Sequence, residues 1–185
     1  MTRDLPVQTI ELNLLSVQQL FNSMDPSPFH ERDLDDDAEE FIVSWAREHP
    51  PGQPVQLVVH LPHSNGNGAE AALIRDSIHH YFDYKAELNR RDFERLMREA
   101  WISLLIGMSF LGLCAVGVQA LSNRSGAWPG MIREGLTISG WVAMWRPLDL
   151  YLYRWWPVSE LGRIYRKLSE MPIEVNFAEA GDPGR

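Results

Sequence analysis

The stretch that decides the fold is residues 101–121, WISLLIGMSFLGLCAVGVQAL. It contains no Asp, Glu, Lys or Arg, and a helix of this length crosses the roughly 30 Å hydrocarbon core of a bilayer. The sequence therefore predicts a membrane protein. Neither Pro nor Gly lies between Ala69 and Ile106, so we predict one continuous helix that begins near residue 70 and runs into this span.

A second apolar segment follows at residues 133–152. Only residues 135–145 are free of charge, so a span here must extend through Arg146 and Asp149. These two residues lie three apart on a helix and are predicted to pair, which lowers the cost of placing charge near the membrane. Many Trp and Tyr residues around them are typical of the membrane interface. The two spans predict a transmembrane hairpin over residues 100–156.

The segments on either side of the hairpin predict an α+β domain. Alternating or β-branched patterns predict three strands, at residues 8–14, 55–61 and 173–177. An amphipathic helix between the first two, with Ala38, Phe41, Ile42 and Trp45 as its apolar stripe, would leave those strands parallel. A second amphipathic helix is expected to restart at Pro157.

We therefore predict a small three-stranded sheet with helices, interrupted by the membrane hairpin. Residues 1–99 supply the N-terminal part of this cytoplasmic domain and the helix that leads into the membrane. Residues 157–178 supply the helix and strand that complete it, and residues 179–185 form a tail.

Charge is unevenly distributed along the chain. The net charge is −8, and residues 1–70 carry 3 Arg against 12 Asp and Glu, which leaves −9 there and +1 elsewhere. Such an acidic segment disfavours nucleic acid and anionic lipid and favours a protein partner with basic groups. The predicted contact residues are Asp25, Phe29, Glu31, Asp35, Asp36 and Asp37. The same residues also fit a proline-stiffened connector and a charged first helical turn.

Four residues are candidates for a metal site: His60, His63, His79 and Asp83. His79 and Asp83 lie four apart on one helix face, as metal ligands often do. The alternative is that they are ordinary surface and capping side chains, and no cofactor is predicted. Cys114 is the only cysteine, which excludes an intramolecular disulfide and a cysteine-based zinc site.

Basic residues predict the orientation of the hairpin. Ten flank its outer ends, whereas two lie near the connecting turn; the ten are Lys85, Arg90, Arg91, Arg95, Arg98, Arg146, Arg154, Arg163, Arg166 and Lys167. By the positive-inside rule, both termini face the cytoplasm. The N-terminus also lacks a signal-peptide pattern. Ser103 and Gly107 form a small-residue pair that would permit close helix contact, either within the chain or with a second copy.

Two segments carry a resemblance to known proteins: NSMDPSPFHERDLDDDAEEFIVSWA at 22–46 and GWVAMWRPLDLYLYRWWP at 140–157. Together with the two-span hairpin, they resemble a group of bacterial inner-membrane proteins of uncharacterised activity. The resemblance implies a location in the bacterial inner membrane and implies no catalytic residues.

The sequence favours a non-enzymatic role. We expect a membrane-anchored interaction or accessory subunit that presents its acidic cytoplasmic domain to a protein partner. One alternative is a small metal-dependent membrane enzyme that uses the His/Asp cluster. The other is an ion-coupled role at Arg146 and Asp149. No nucleophile elbow or phosphate-binding loop is present.

Overall fold

The computed structural model describes residues 7–29, 32–50, 53–62, 68–124 and 126–178. In chain order the elements are β1 (Gln8–Asn13), a 3-10 turn (Val17–Gln19), α1 (Asp36–Arg47), β2 (Val55–Leu61), α2 (Gly68–Leu121), α3 (Ala127–Asp149), a π-helical segment (Leu150–Arg154), α4 (Trp155–Ser169) and β3 (Ile173–Phe177). The chain divides into two compact units. The sheet unit contains Met1–Asn89 and Glu160–Arg185, and the helical unit contains Arg90–Ser159.

The predicted three strands form one sheet, in the order β1-β2-β3. Both neighbouring pairs are parallel, with Ile10 opposite Leu57 and Leu57 opposite Ile173. The prediction of mixed helix and sheet with three strands is therefore confirmed, as is the parallel pairing of the first two strands. The last strand returns to the sheet after an interval of 111 residues, most of which are helical.

Apolar side chains from one face of the sheet pack against α1, α2 and α4. The alternation in each strand places every second residue on this face, where burial of apolar area stabilises the unit. The buried residues include Ile10, Leu12, Leu57, Val59, Ile42, Ala46, Ile74, Ile78, Phe82, Leu168 and Ile173. This cluster is the hydrophobic core of the sheet unit.

The other face of the sheet is polar. Thr9, Glu11 and Asn13 of β1 are exposed, and His60 of β2 is half-buried. Val58, the apolar residue in the middle of this face, is opposite Glu11 in the neighbouring strand and is itself buried. Among the described residues no helix covers this face, although fully parallel sheets are usually covered on both sides.

The predicted continuous helix is confirmed by α2, which has 54 residues. Its first part packs Ile74, Ile78 and Phe82 into the core of the sheet unit. Within the described residues, α2 is the one helix with a segment long and apolar enough to cross a membrane, and 11% of that segment is buried. An ordinary core helix of the same composition would be mostly buried.

In the helical unit, α2 and α3 pack closely through glycines. A Cβ atom added at Gly107 would lie 3.1 Å from the carbonyl oxygen of Ala143, and one at Gly140 would lie 2.9 Å from Leu111 Cδ1. The absence of a side chain at these positions lets the two helix backbones approach each other. Gly107, predicted to permit close helix contact, therefore contacts a helix of the same chain.

The predicted break before Pro157 is absent. Helix α4 begins at Trp155, directly after the π-helical segment, so Pro157 lies in its first turn. Because the helical segments are contiguous, Pro157 cannot donate a backbone hydrogen bond to the preceding turn, and it lies beside the π-helical segment, where the hydrogen-bond pattern is already irregular. Pro147 lies inside α3, a few residues before the π-helical segment.

Candidate functional site

The acidic region begins with a loop that is closed by backbone pairing. Phe21 and Leu34 form an antiparallel bridge, and the Asn22 amide donates to the Asp33 carbonyl at 2.9 Å. Asp25 stabilises the loop, because its carboxylate accepts hydrogen bonds from the Ser27 amide at 2.9 Å and from the Asp33 amide at 2.8 Å.

These hydrogen bonds give Asp25 a structural role. Donation from the Asp33 and Ser27 amides holds the pKa of Asp25 below its ordinary value. Phe29 contacts the core instead of standing free, with its ring centroid 4.8 Å from that of Phe21. Glu31, another predicted contact residue, lies outside the described residues.

The three predicted aspartates at the start of α1 differ in their surroundings. Asp35 is the N-cap, and its side chain accepts from the Asp37 amide at 3.2 Å. Asp36 and Asp37 are exposed, and neither side chain forms a hydrogen bond or an ion pair with the described part of the chain. Two of the three carboxylates are thus available to a partner.

Phe41 was predicted to lie in the apolar stripe of α1, and this prediction is wrong. The buried stripe contains Ile42, Val43 and Ala46, whereas the side chain of Phe41 is 48% exposed. Each residue turns the helix by about 100°, so Phe41 lies a quarter turn away from Ile42 and close to Asp37, four positions earlier. The outer side of α1 therefore combines an exposed phenyl ring with carboxylates. We call Asp36, Asp37, Glu40, Phe41 and Ser44 the outer face of α1.

Glu39 belongs to the same acidic run but points toward other helices. Its side chain is 14% exposed, and its Oε2 atom accepts from Lys85 Nζ at 2.9 Å and from the Tyr81 hydroxyl. Its Oε1 atom accepts from the Tyr165 hydroxyl at 3.0 Å. Tyr81 and Lys85 lie on α2 and Tyr165 on α4, so this carboxylate joins three helices. The sequence did not distinguish Glu39 from the neighbouring acids.

The electrostatics of this network favour the ionised carboxylate. Burial by itself raises the pKa of Glu39, but hydrogen bonds from Tyr81, Lys85 and Tyr165 outweigh it, so the net pKa is lowered. Burial and the adjacent carboxylate raise the pKa of Tyr165 to about 12 and raise that of Tyr81 as well. Both tyrosines therefore remain protonated donors, and the network fixes α1 so that its outer face stays exposed.

The metal candidates are placed on different elements. His60 lies on the polar face of β2, and His79 Nε2 lies 2.9 Å from the Met171 carbonyl oxygen, which anchors the segment before β3. Asp83 lies one turn along α2 from His79, and His63 is outside the described residues. In the part of the chain that the structure describes, no three His, Cys, Asp or Glu side chains form a group suited to a metal ion.

The predicted pairing of Arg146 with Asp149 is wrong. Arg146 donates to Glu99 at 2.7 Å, and Asp149 lies 3.9 Å from Arg154. The π-helical segment that follows Asp149 widens the helix, and Arg146 reaches across to α2 instead of along its own helix. Both ion pairs lie within the helical unit.

No protein-family model, curated protein or solved structure shows significant similarity to this chain. The resemblance to bacterial inner-membrane proteins therefore stays a prediction, and the site has to be interpreted from its own geometry.

Proposed function

We propose that this protein is a membrane-anchored interaction subunit. The apolar part of α2 and the length of α3 form a two-helix hairpin in a bacterial inner membrane, with both termini in the cytoplasm. The sheet unit presents the outer face of α1 to a protein partner that carries basic groups around an apolar pocket. The role is that of an accessory subunit, which holds a partner at the membrane surface.

Exposed apolar side chains support the anchor. The helical unit leaves large apolar residues uncovered on both α2 and α3, far more than the surface of a soluble protein normally shows. They include Trp101, Ile102, Leu105, Ile106, Phe110, Leu113, Val116, Met131, Ile138, Trp141, Val142 and Trp145. Hydrocarbon is the environment in which such a surface is stable, and the tryptophans suit its boundary.

The observation that carries the partner proposal is the exposure of Phe41 beside free carboxylates. Aromatic side chains are enriched at the energetic centres of protein interfaces, and surrounding charges steer the encounter. Glu39 anchors the opposite side of α1, so the face is rigid before a partner binds. Rigidity lowers the entropy lost on binding.

Partner binding is tested with the variant Asp36→Asn/Asp37→Asn/Phe41→Ala. We expect this change to remove the aromatic contact and the steering charge, and to weaken retention of the partner at least about tenfold. The measurement compares proteins that co-purify with each form of the full chain from native membranes in mild detergent, at low and moderate salt.

The matched control is Glu11→Gln/Asp76→Asn, which also removes two exposed carboxylates but leaves α1 intact. A protein retained by the wild type and the control, absent with the α1 variant and weakened by salt, is the expected result. An identical set retained by all three forms would contradict the proposed interface.

The topology is tested by cysteine labelling in a Cys114→Ala background. We expect an impermeant thiol reagent to reach Ser122→Cys, in the turn after α2, in cells with a permeabilised outer membrane and an intact inner membrane. Ser23→Cys in the sheet unit should react only after lysis, because ten basic residues flank the outer ends of the hairpin. The reverse labelling pattern would show that the orientation is inverted, and equal labelling at both positions would show that the hairpin does not span.

A further inference from the structure

The sheet unit contains a cavity of ≈ 390 Å³ between the end of α1 and the length of α4. Four cationic and two acidic side chains line it: Arg47, Arg163, Arg166, Lys167, Glu160 and Glu170. Its apolar lining includes Ala46 and Ile164. The cavity lies at the opposite end of α1 from Asp36 and Asp37, so it is separate from the proposed partner contact.

The cations of this cavity are not neutralised by the carboxylates beside them. Glu160 precedes Arg163 by three positions on α4, yet none of the four cations forms an ion pair within 4 Å in the described part of the chain. The lining therefore has a formal excess of two positive charges, in a protein whose net charge is −8. A local concentration of positive charge attracts anions even when the protein as a whole is acidic.

Lys167 provides a second and independent observation. Its Nζ atom is inaccessible to solvent and has no hydrogen-bond partner among the residues that the structure describes. An ammonium group has three donors, and buried donors in native proteins nearly always have acceptors. Burial lowers the pKa of Lys167, so keeping this unpartnered amine in its charged form costs free energy. No water-sized group reaches Nζ in this conformation, so the flexible side chain has to turn into the cavity to meet an acceptor from a ligand, and that contact would remove the cost.

We propose that this cavity binds the terminal phosphate group of a phosphate monoester, with Lys167 and the guanidinium groups of Arg163 and Arg166 as donors. Guanidinium groups match the geometry of phosphate oxygens with two parallel hydrogen bonds, which favours phosphate over a halide. The apolar walls at Ala46 and Ile164 suit the carbon part of an ester better than a free inorganic anion. Both a lipid with a terminal phosphate, such as phosphatidic acid, and a soluble phosphate monoester provide this chemistry.

The test has two arms that separate these sources, each with the full chain. The soluble arm titrates glycerol 3-phosphate into the detergent-solubilised protein by calorimetry. The lipid arm uses native mass spectrometry of protein from phosphatidylcholine nanodiscs with increasing fractions of phosphatidic acid, so that the number of bound phosphatidic acid molecules and an apparent affinity are both measured. Saturable binding of one equivalent in either arm supports the proposal, and the arm with the higher affinity identifies the source.

The variant Arg163→Gln/Arg166→Gln should weaken that binding at least about tenfold, because removing one charge-assisted hydrogen bond already changes an affinity by roughly this factor. The matched control is Arg95→Gln/Arg98→Gln, which removes the same charge from exposed positions on α2. It should bind as the wild type does. Equal weakening by both variants would mean that binding follows overall charge, which would overturn the proposed site.

Lys167→Met separates a binding role from a structural one. We expect this variant to lose affinity as strongly as the arginine variant while its melting temperature without ligand is equal to or above that of the wild type, because a buried unpartnered charge is removed. Wild-type affinity in Lys167→Met would overturn the proposal. So would the absence of saturable binding in both arms.

Discussion

Replacing Glu39 with Ala is expected to lower the free energy of unfolding of the sheet unit by about 3 kcal/mol. The change leaves Tyr81, Tyr165 and Lys85 without their shared acceptor, and each partly buried donor left unsatisfied costs about 1–3 kcal/mol. The lower part of that range applies to Lys85, which reaches solvent more easily. Hydrogen exchange of the α1 amides in the full chain in detergent measures the loss.

The neighbouring residue supplies the control. Glu40 is exposed, and Glu40→Ala should change stability by less than about 0.5 kcal/mol. Tyr165→Phe, which removes one donor and keeps the ring, should cost about 1 kcal/mol. Similar losses from Glu39→Ala and Glu40→Ala would show that the three-helix network does not stabilise the fold.

The pH dependence of this effect follows from the lowered pKa of Glu39. The folded protein holds the carboxylate ionised to lower pH than the unfolded chain does, so its contribution to stability is fully present above the ordinary pKa of 4.5. It is lost as pH falls below that value through the folded pKa. The stability difference between wild type and Glu39→Gln should therefore be constant near neutral pH and shrink in acid. A stability difference that grows in acid would contradict the inference that the folded state lowers the pKa of Glu39.

Gly107→Leu is the second change with a large expected effect. A single added Cβ at Gly107 would already lie 3.1 Å from the Ala143 carbonyl oxygen and 3.3 Å from Met144 Sδ, so a leucine forces α2 and α3 apart. Overpacking of this kind costs about 3 kcal/mol, which corresponds to a melting temperature lower by about 10 °C. Tryptophan fluorescence of the purified full chain during heating measures it.

Gly112 is the matched control on the same helix. An added Cβ there meets nothing within 4 Å, so Gly112→Leu should leave the melting temperature nearly unchanged. The comparison holds residue type and helix constant and varies only the contact with α3. Equal destabilisation by the two variants would indicate an effect of helix propensity or lipid exposure and not of the α2 contact with α3.

The sequence predicted the elements whose signals are local. Alternation at Ile10 and Leu12 marked β1, β-branched residues marked β2, and an interval free of Pro and Gly identified α2 as one helix. These signals depend on neighbours within one or two helical turns, which is why they are readable from the chain alone.

The interactions that the sequence did not predict are those that join distant segments. Glu39 looked like one more acid at a helix start, because its three donors lie 42, 46 and 126 residues away. Arg146 was assigned to a local partner, but its carboxylate lies 47 residues earlier on α2. Phe41 fitted the apolar stripe by spacing, and only the position of the core showed that the stripe is centred on Ile42.

The cavity lined by Arg47 and α4 depends on distant segments in the same way. Arg163, Arg166 and Lys167 counted in the sequence only as basic residues near a membrane segment, a pattern that predicts orientation. Their role as one wall of a cavity depends on α1, which is more than a hundred residues away along the chain. No local pattern in the sequence carries that information.

The return of β3 to the sheet sets an order of events during translation. When β2 leaves the ribosome, its partner β3 is still roughly 110 residues from being made, an interval on the order of ten seconds at ordinary rates of translation. Throughout that time the apolar segment VQLVVHL has one open edge, while the helices from α2 to α4 are being made. The nascent chain must shield this edge until residue 177 emerges, so a chain that terminates early exposes an aggregation-prone strand.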